Sequence, residues 1–283
     1  MMETASLILE LRNLYPSLTA AEKKMIDCVL EAPDEAIYLS ISEMAERSKV
    51  SEATIVRLCR KAGLAGYQEF KLRLARDQVI PEENLHQALV GDEDLKTLAQ
   101  RISEDNAQAV INTTRMVSLP QLERARDALL AAGRIDLIGV GASGYTAMDA
   151  LYKFRRIGLN ASMAGDNHMQ MMSASMLKPG DVAMGFSFTG STRDTVHVMG
   201  EAKQAGATTI CITNHKKSPI TQVSDIVLLT AVSETPLRSG ALTSKIAQLH
   251  VLDLLYTAMA MQDRERALEN IDRTASAVLN QLY

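Results

Sequence analysis

The hydrophobic positions of this chain change period near Gly133, and the change separates two kinds of architecture. Through residue 77 apolar residues recur at three- and four-residue spacing, which predicts short amphipathic helices with tight connections and no strands. Thr19, with Glu22 three residues later, predicts a capped helix start, and Met25, Ile26, Val29 and Leu30 then fall on one stripe. Pro33 stops that helix or opens the next. Another cap stands at Ser40 or Ser42, and Ser51 begins a further helix after Val50.

Residues 78–94 contain Pro81, Gly91 and five acids without a sustained period, and are expected to be a linker between a helical domain over 1–77 and a second domain over 95–283. Helical spacing resumes from Leu95 to about Ala132, with a break at Ser118 to Pro120. Beyond Gly133, strand-like runs at Ile135 to Val140, Ala161 to Ala164, Val182 to Phe188, Thr208 to Thr213 and Ile226 to Thr230 alternate with helical stretches. The expected helices are Tyr145 to Ile157, His168 to Leu177 and Thr192 to Gln204, then Ser244 to Met261 and Arg264 to Leu282. This alternation predicts a parallel five-stranded sheet covered on both faces, the doubly wound α/β class.

Length and composition narrow the class. With 283 residues, 47% of them hydrophobic and 23% charged, two ordinary globular domains are expected rather than a disordered chain. No apolar run reaches the roughly 18 to 20 residues that cross a bilayer, and the first residues do not read as a signal peptide, so no membrane association and a cytoplasmic location are expected. Cys28, Cys59 and Cys211 have neither the spacing of a zinc site nor an even count, so no metal is expected.

The overall charge of −4 conceals a local field. Residues 1–46 carry three basic side chains against nine acids, whereas 47–76 carry eight against two. Such a cluster can neutralise phosphates while the rest of the molecule stays acidic, although a solvated helix face would show the same pattern.

Within the basic segment, Ile41, Met44 and Ala45 give one helix an apolar face, Ser48 to Val50 form a turn, and Ile55, Leu58, Cys59 and Ala62 make the buried stripe of a second helix. This is a helix-turn-helix pattern, and an αα-hairpin inside a helical domain is the plainer alternative. In a recognition helix the N-terminal residues meet base edges, so Ser51, Glu52, Thr54 and Val56 are candidates for direct readout. Arg57 suits bases or phosphates, while Lys49, Arg60, Lys61, Lys71 and Arg73 suit phosphates.

Two loops rich in glycine and hydroxyls stand at expected strand ends: GVGASGYTA, residues 139–147, and FSFTGSTRDT, residues 186–195. Ligands of doubly wound sheets bind at such carboxyl ends, where helix N-termini favour anions. The first loop contains a bare G-x-G-x-x-G, with Asp166 as the nearest acid for a nucleotide ribose, so a dinucleotide site stays open on that loop alone. The second loop clusters Ser187, Thr189, Ser191 and Thr192 around Gly190, which suits a phosphate, and no G-K-[ST] follows. Each hydroxyl taken singly reads more readily as a helix cap, and it is the cluster that favours a ligand.

The segment VSEATIVRLCRKAGLAGYQEFK, the helix before it and the α/β half together resemble the RpiR family of bacterial regulators over nearly the whole chain. That resemblance implies a helix-turn-helix domain followed by a sugar isomerase (SIS) domain of flavodoxin-like topology, controlling sugar or amino-sugar genes. Carried over by position, Gly141, Ser143, Ser187, Thr189, Gly190, Ser191 and Thr192 would hold a phosphosugar, with Glu234 facing the sugar and Arg238 and Lys245 as weaker contacts.

His168 is expected to be a satisfied structural histidine, and the methionines from Met169 to Met176 to be core. The resulting expectation is a transcription regulator that binds an operator in double-stranded DNA as a homodimer or homotetramer, with a phosphorylated sugar as effector and neither cofactor nor catalytic residues. The rival is a sugar-phosphate isomerase or lyase using Glu234 and His168, against which the attached DNA reader argues.

Overall fold

A computed structural model describes residues 7–78, 94–232 and 242–279. Nearly all of the expected linker, and Glu234 and Arg238 with it, lie outside these residues. The described residues form two compact units, one holding those up to Glu104 together with Leu242, the other those from Asp105 to Val232 and from Thr243 on.

The first unit is helical: α1 (Leu7–Leu14), α2 (Ala20–Glu31), α3 (Pro33–Ala36), α4 (Ile41–Ser48), α5 (Glu52–Lys61) and α6 (Tyr67–Gln78). Its helices start where the sequence places their caps. Thr19 and Ser40 each form a reciprocal capping box with a glutamate three residues on, and Ser51 accepts the Thr54 N–H. The stripe Ile55, Leu58 and Cys59 is buried against Leu11, Met25, Ile26 and Met44. Lys49 closes α4 in the left-handed region at φ 55°, which turns the chain sharply into α5.

Helix α7 (Leu95–Met116) leads to α8 (Leu119–Ala131), and from there strands and helices alternate. They are β1 (Ile135–Ile138), α9 (Gly141–Arg156), β2 (Ala161–Ser162), α10 (Asn167–Ser175), β3 (Val182–Phe186), α11 (Arg193–Gln204), β4 (Thr208–Thr213), α12 (Pro219–Gln222) and β5 (Ile226–Leu229). Two helices follow the described part of the sheet, α13 (Leu242–Gln262) and α14 (Arg264–Leu279).

All pairings are parallel and the strand order is β2-β1-β3-β4-β5, the flavodoxin-like arrangement. Leu137 and Met184 face a core shared with α8, α9 and α13, whereas Ile138 and Ala183 face one shared with α10 and α11. Both faces are therefore covered, as a parallel sheet requires. Gly185 admits α11 closely, since a Cβ there would stand 2.8 Å from the Met199 sulfur.

Strand β4 has the extent the sequence predicts, but β1 and β3 end two residues early. Gly139, Val140, Ser187 and Phe188 leave the ladder to build the loops above the sheet. The methionines depart further from expectation. Met169, Met172 and Met176 are exposed, Met172 at 64%, because α10 buries Gln170, Ala174 and the neighbouring Leu177 instead.

Candidate functional site

In the helical unit, α4 and α5 form the helix-turn-helix pair, and the exposed side of α5 carries Ser51, Ala53, Arg57 and Arg60, with Lys49 exposed in the turn. Val56 is half-buried at the edge of the core. Glu52 is also half-buried and accepts the Ser42 hydroxyl at 2.5 Å, tying α5 to α4. Ala53, which the sequence reading passed over, stands exposed on the first turn, where a methyl group can meet a thymine methyl.

Three basic residues assigned to phosphates from the sequence are engaged otherwise. Lys71 is 5% exposed and its ammonium donates to the Leu39 carbonyl at 3.0 Å, with the Tyr67 ring 5.9 Å away. Burial lowers its pKa to about 8, Glu43 opposing the shift, and a side chain so placed cannot reach a DNA backbone. Lys61 donates to the Ser17 carbonyl at 2.9 Å and lies 3.4 Å from Glu22, and Arg73 pairs with Glu10 at 2.8 Å. Thr54 is buried, and its hydroxyl is taken up by the exposed side chains beside it, sharing a 2.8 Å hydrogen bond with Ser51 and accepting from Arg57 at 3.2 Å, so it orders those two residues.

In the α/β unit the two hydroxyl loops follow the adjacent strands β1 and β3. The first loop turns tightly because Gly139 and Gly144 touch, a Cβ on Gly139 lying 3.0 Å from the Ser143 carbonyl, and because Gly141 takes φ +55°. The second depends on Gly190 at φ +63°, where a Cβ would stand 2.1 Å from the Ser218 hydroxyl and 2.9 Å from that of Thr213. Its backbone is fastened to the neighbouring connection, the Ile220 and Asn214 amides donating to the Gly190 and Phe188 carbonyls.

The hydroxyls of this loop are mutually ordered. Ser187, almost wholly buried, donates to Thr192 at 3.1 Å, and the Ser191 amide donates to the Thr189 hydroxyl at 3.3 Å. Thr189, Ser191 and Thr192 are half-buried, and so is Ser143, which stands on the first turn of α9 because that helix starts at Gly141 rather than at the expected Tyr145.

Helix caps distinguish these loops from the others. Side chains cap α2, α4, α5 and α10, yet α9 begins after Val140 and α11 after Thr192 without a side-chain cap. The capping reading of Thr192 therefore fails: its hydroxyl accepts from Ser187, and the first amides of α11 keep their donors. Helices α3 and α8 are also without one, but Pro33 and Pro120 each remove one donor there. Asp166, the acid of the dinucleotide reading, has one carboxylate oxygen engaged in capping α10 through the Met169 amide at 3.0 Å.

Behind the first loop lies a buried pair that the sequence did not single out. Thr146 donates to the Gln248 amide oxygen at 3.1 Å, and the Gln248 nitrogen lies 3.5 Å from the Ser143 hydroxyl, which links α13 to the first turns of α9. Asn214, at the end of β4, holds the backbone of Val232 through two hydrogen bonds of 2.9 Å. His168 is exposed on the first turn of α10, contrary to the expected structural histidine. Lys245 lies over the Tyr145 ring at 5.5 Å. Among the described residues no group of side chains has the makings of a metal site, and no helix is long and apolar enough to cross a membrane.

Comparison with known proteins gives this geometry a family. Residues 5–79 match the model of the helix-turn-helix domain of the rpiR family, and residues 128–258 match that of the SIS domain. An uncharacterized HTH-type transcriptional regulator of Haemophilus influenzae is 36% identical over 99% of both chains. The HTH-type transcriptional regulator RpiR of Escherichia coli is 29% identical over 95% of this chain and 90% of its own. Among solved structures, the Vibrio vulnificus NanR protein complexed with ManNAc-6P superimposes with a TM-score of 0.86 at 29% identity, covering 98% of this chain and 99% of that one. A helix-turn-helix unit with an exposed basic face, a flavodoxin-like SIS sheet behind it in the sequence, and relatives matched end to end place this chain in the RpiR family of HTH-type transcriptional regulators.

Proposed function

We propose that this regulator binds a phosphorylated sugar at the carboxyl ends of β1 and β3, and that the bound sugar alters its affinity for an operator in double-stranded DNA. The observation that carries the reading is the uncapped start of α11, ringed by the hydroxyls of Thr189, Ser191 and Thr192. Free amides and fixed hydroxyls at a helix N-terminus suit a phosphate dianion. NanR, similar over the whole chain, is complexed with ManNAc-6P, which supports a ligand of this class.

In this reading Ser187 orders Thr192, Gly141 lets backbone approach the ligand, and Gly190 lets the second loop close against Ser218. Ser143 contributes a hydroxyl with Gln248 behind it. Glu234 is assigned to the sugar on the family resemblance. On the DNA side Ser51, Ala53 and Val56 face the bases, with Arg57 able to meet a base or a phosphate; Lys49 and Arg60 meet the backbone, and Glu52 braces α5.

The DNA-reading domain is assigned to residues 1–77, the linker to 78–94 and the effector domain to 95–283. The protein works as a regulator rather than a sugar-phosphate isomerase, since an attached DNA reader serves a switch and not a metabolic reaction. A homodimer or homotetramer is expected because Tyr145, Met148 and Tyr152 stand exposed at helical spacing on one face of α9, an apolar stripe that a second copy can cover.

A thermal-shift screen of the full chain against hexose 6-phosphates, their amino and N-acetyl derivatives and the unphosphorylated sugars tests the ligand class. A ligand of the native state raises the melting temperature, so phosphorylated members should do so and unphosphorylated ones should not. Equal shifts from both sets would refute the phosphate site.

A further inference from the structure

Helix α10 carries two buried amide oxygens without hydrogen-bond partners among the described residues, Asn167 Oδ1 and Gln170 Oε1. They stand three residues apart and so share a helix face. Gln170 is 4% exposed, and its nitrogen donates to the Gly139 carbonyl at 3.4 Å and the Ala164 carbonyl at 3.1 Å. Those carbonyls lie just beyond the ends of β1 and β2, so the amide head sits beside the first hydroxyl loop. Its orientation is settled by chemistry, because exchanging N and O would set the oxygen against two carbonyls.

A buried carbonyl oxygen without a donor is costly, so two on one face call for an incoming donor. Helix α10 is held in place to present them. Asp136 of β1, buried, takes both Arg134 contacts at 2.9 Å and the hydroxyls of Ser162 in β2 at 2.8 Å and Ser173 in α10 at 2.7 Å. That network locks β1, β2 and α10 together below the site.

We propose that Asn167 and Gln170 form an acceptor pair that reads a hydroxyl or amide N–H of the sugar, at the end of the ligand remote from its phosphate. This rests on the phosphosugar reading above and extends it to specificity. With the strand order β2-β1-β3, the acceptors lie on the β2 side of β1 and the uncapped α11 lies beyond β3. Two interstrand spacings, about 10 Å, separate β2 from β3, a span suited to a monosaccharide with its phosphate. The α11 end takes the anion, common to every sugar phosphate; the α10 end accepts from donors that differ between sugars.

The test is calorimetric titration of the full chain and Asn167→Ala with inorganic phosphate, glucose 6-phosphate, glucosamine 6-phosphate, N-acetylglucosamine 6-phosphate and ManNAc-6P. The tightest-binding sugar phosphate is then compared with its deoxy analogues. Asn167 is only partly buried, so the alanine variant should fold, as circular dichroism checks.

Asn167→Ala is expected to weaken that sugar phosphate about tenfold while inorganic phosphate binds as before. One deoxy analogue should lose about tenfold on the wild-type chain and nothing further on the variant. Hydroxyl and amide sources are separated by which analogue shows this. An unchanged sugar affinity in the variant, a parallel loss for inorganic phosphate, or deoxy penalties identical in both proteins would overturn the acceptor pair and leave the phosphate site standing. If neither phosphate nor any sugar phosphate binds the wild-type chain, the phosphosugar reading falls and takes the pair with it.

Discussion

The exposed face of α5 and the loops above β1 and β3 are both assigned to phosphate, yet they are built from opposite materials. On α5 long cations stand in solvent on a short helix, with Arg57 and Arg60 exposed and Lys49 beside them. Above the sheet, short hydroxyls are ordered by one another and by Gly190, where a Cβ would collide with the Ser218 hydroxyl. A polymer of phosphates is met by mobile charge, which tolerates register shifts and is screened by salt. A single phosphate is met by fixed dipoles, which demand geometry and respond weakly to salt. The contrast teaches that the first region should lose function gradually as charges are removed, and the second abruptly as its shape is disturbed.

The sharpest way to break that contrast is Gly190→Ala. Both the positive φ and the 2.1 Å approach to Ser218 forbid a Cβ without rearranging the loop. Affinity for sugar phosphates should fall by more than about a hundredfold, while DNA affinity without effector stays within about twofold. Sugar-phosphate binding within about threefold of wild type would show that this loop is not the site.

Lys71 tests which charges belong to the DNA face at all. Its folded pKa near 8 lies below the roughly 10.4 of an unfolded lysine. Between those values the unfolded chain binds more protons than the folded one, so stability rises with pH across that window. Below about pH 8 both states are protonated and the full cost of burying the cation is present. Urea unfolding at pH 7.5 and pH 10.5 should show the wild type gaining about 3 kcal/mol relative to Lys71→Met. The same variant should leave the salt dependence of DNA binding unchanged. A loss of slope would return Lys71 to the phosphate contacts.

Removing Arg57 and Arg60 together should weaken DNA binding about thirtyfold at 0.1 M salt and reduce the slope of log K against log salt by about 1 if Arg57 meets a base and by about 2 if it meets a phosphate. Fluorescence anisotropy over a salt series measures both, and an unchanged slope would take these residues off the backbone. The mildest expected change is in Thr192→Val, which keeps the shape but removes a hydroxyl. Sugar phosphates should bind about tenfold less tightly, with DNA affinity unaffected.

Much of this architecture is legible in the residues themselves. Thr19, Ser40 and Ser51 announce helix starts because capping is local, and the alternation after Gly133 announces the sheet because strand and helix periods differ. What escaped sequence reasoning depended on burial decided by distant partners. Lys71 counts as a surface charge until the Leu39 carbonyl is found above it, and Met172 counts as core until α10 turns Ala174 inward instead. Gln248, Asn167 and Gln170 carry no sequence mark, since an amide looks the same whether solvated or buried. The hydroxyl loops were visible as a pattern, but only the missing cap of α11 separates a set of donors from an ordinary helix start.

Regulation by a sugar phosphate requires communication between the α5 face and the loops above the sheet. The direct measurement is the dissociation constant of the full chain for its own upstream DNA, with and without a saturating sugar phosphate taken from the thermal-shift screen. A change of at least about fivefold is predicted, with DNA altering the affinity for that sugar phosphate by the same factor, as linkage requires. A sugar phosphate that binds fully and leaves the DNA dissociation constant where it was would contradict it.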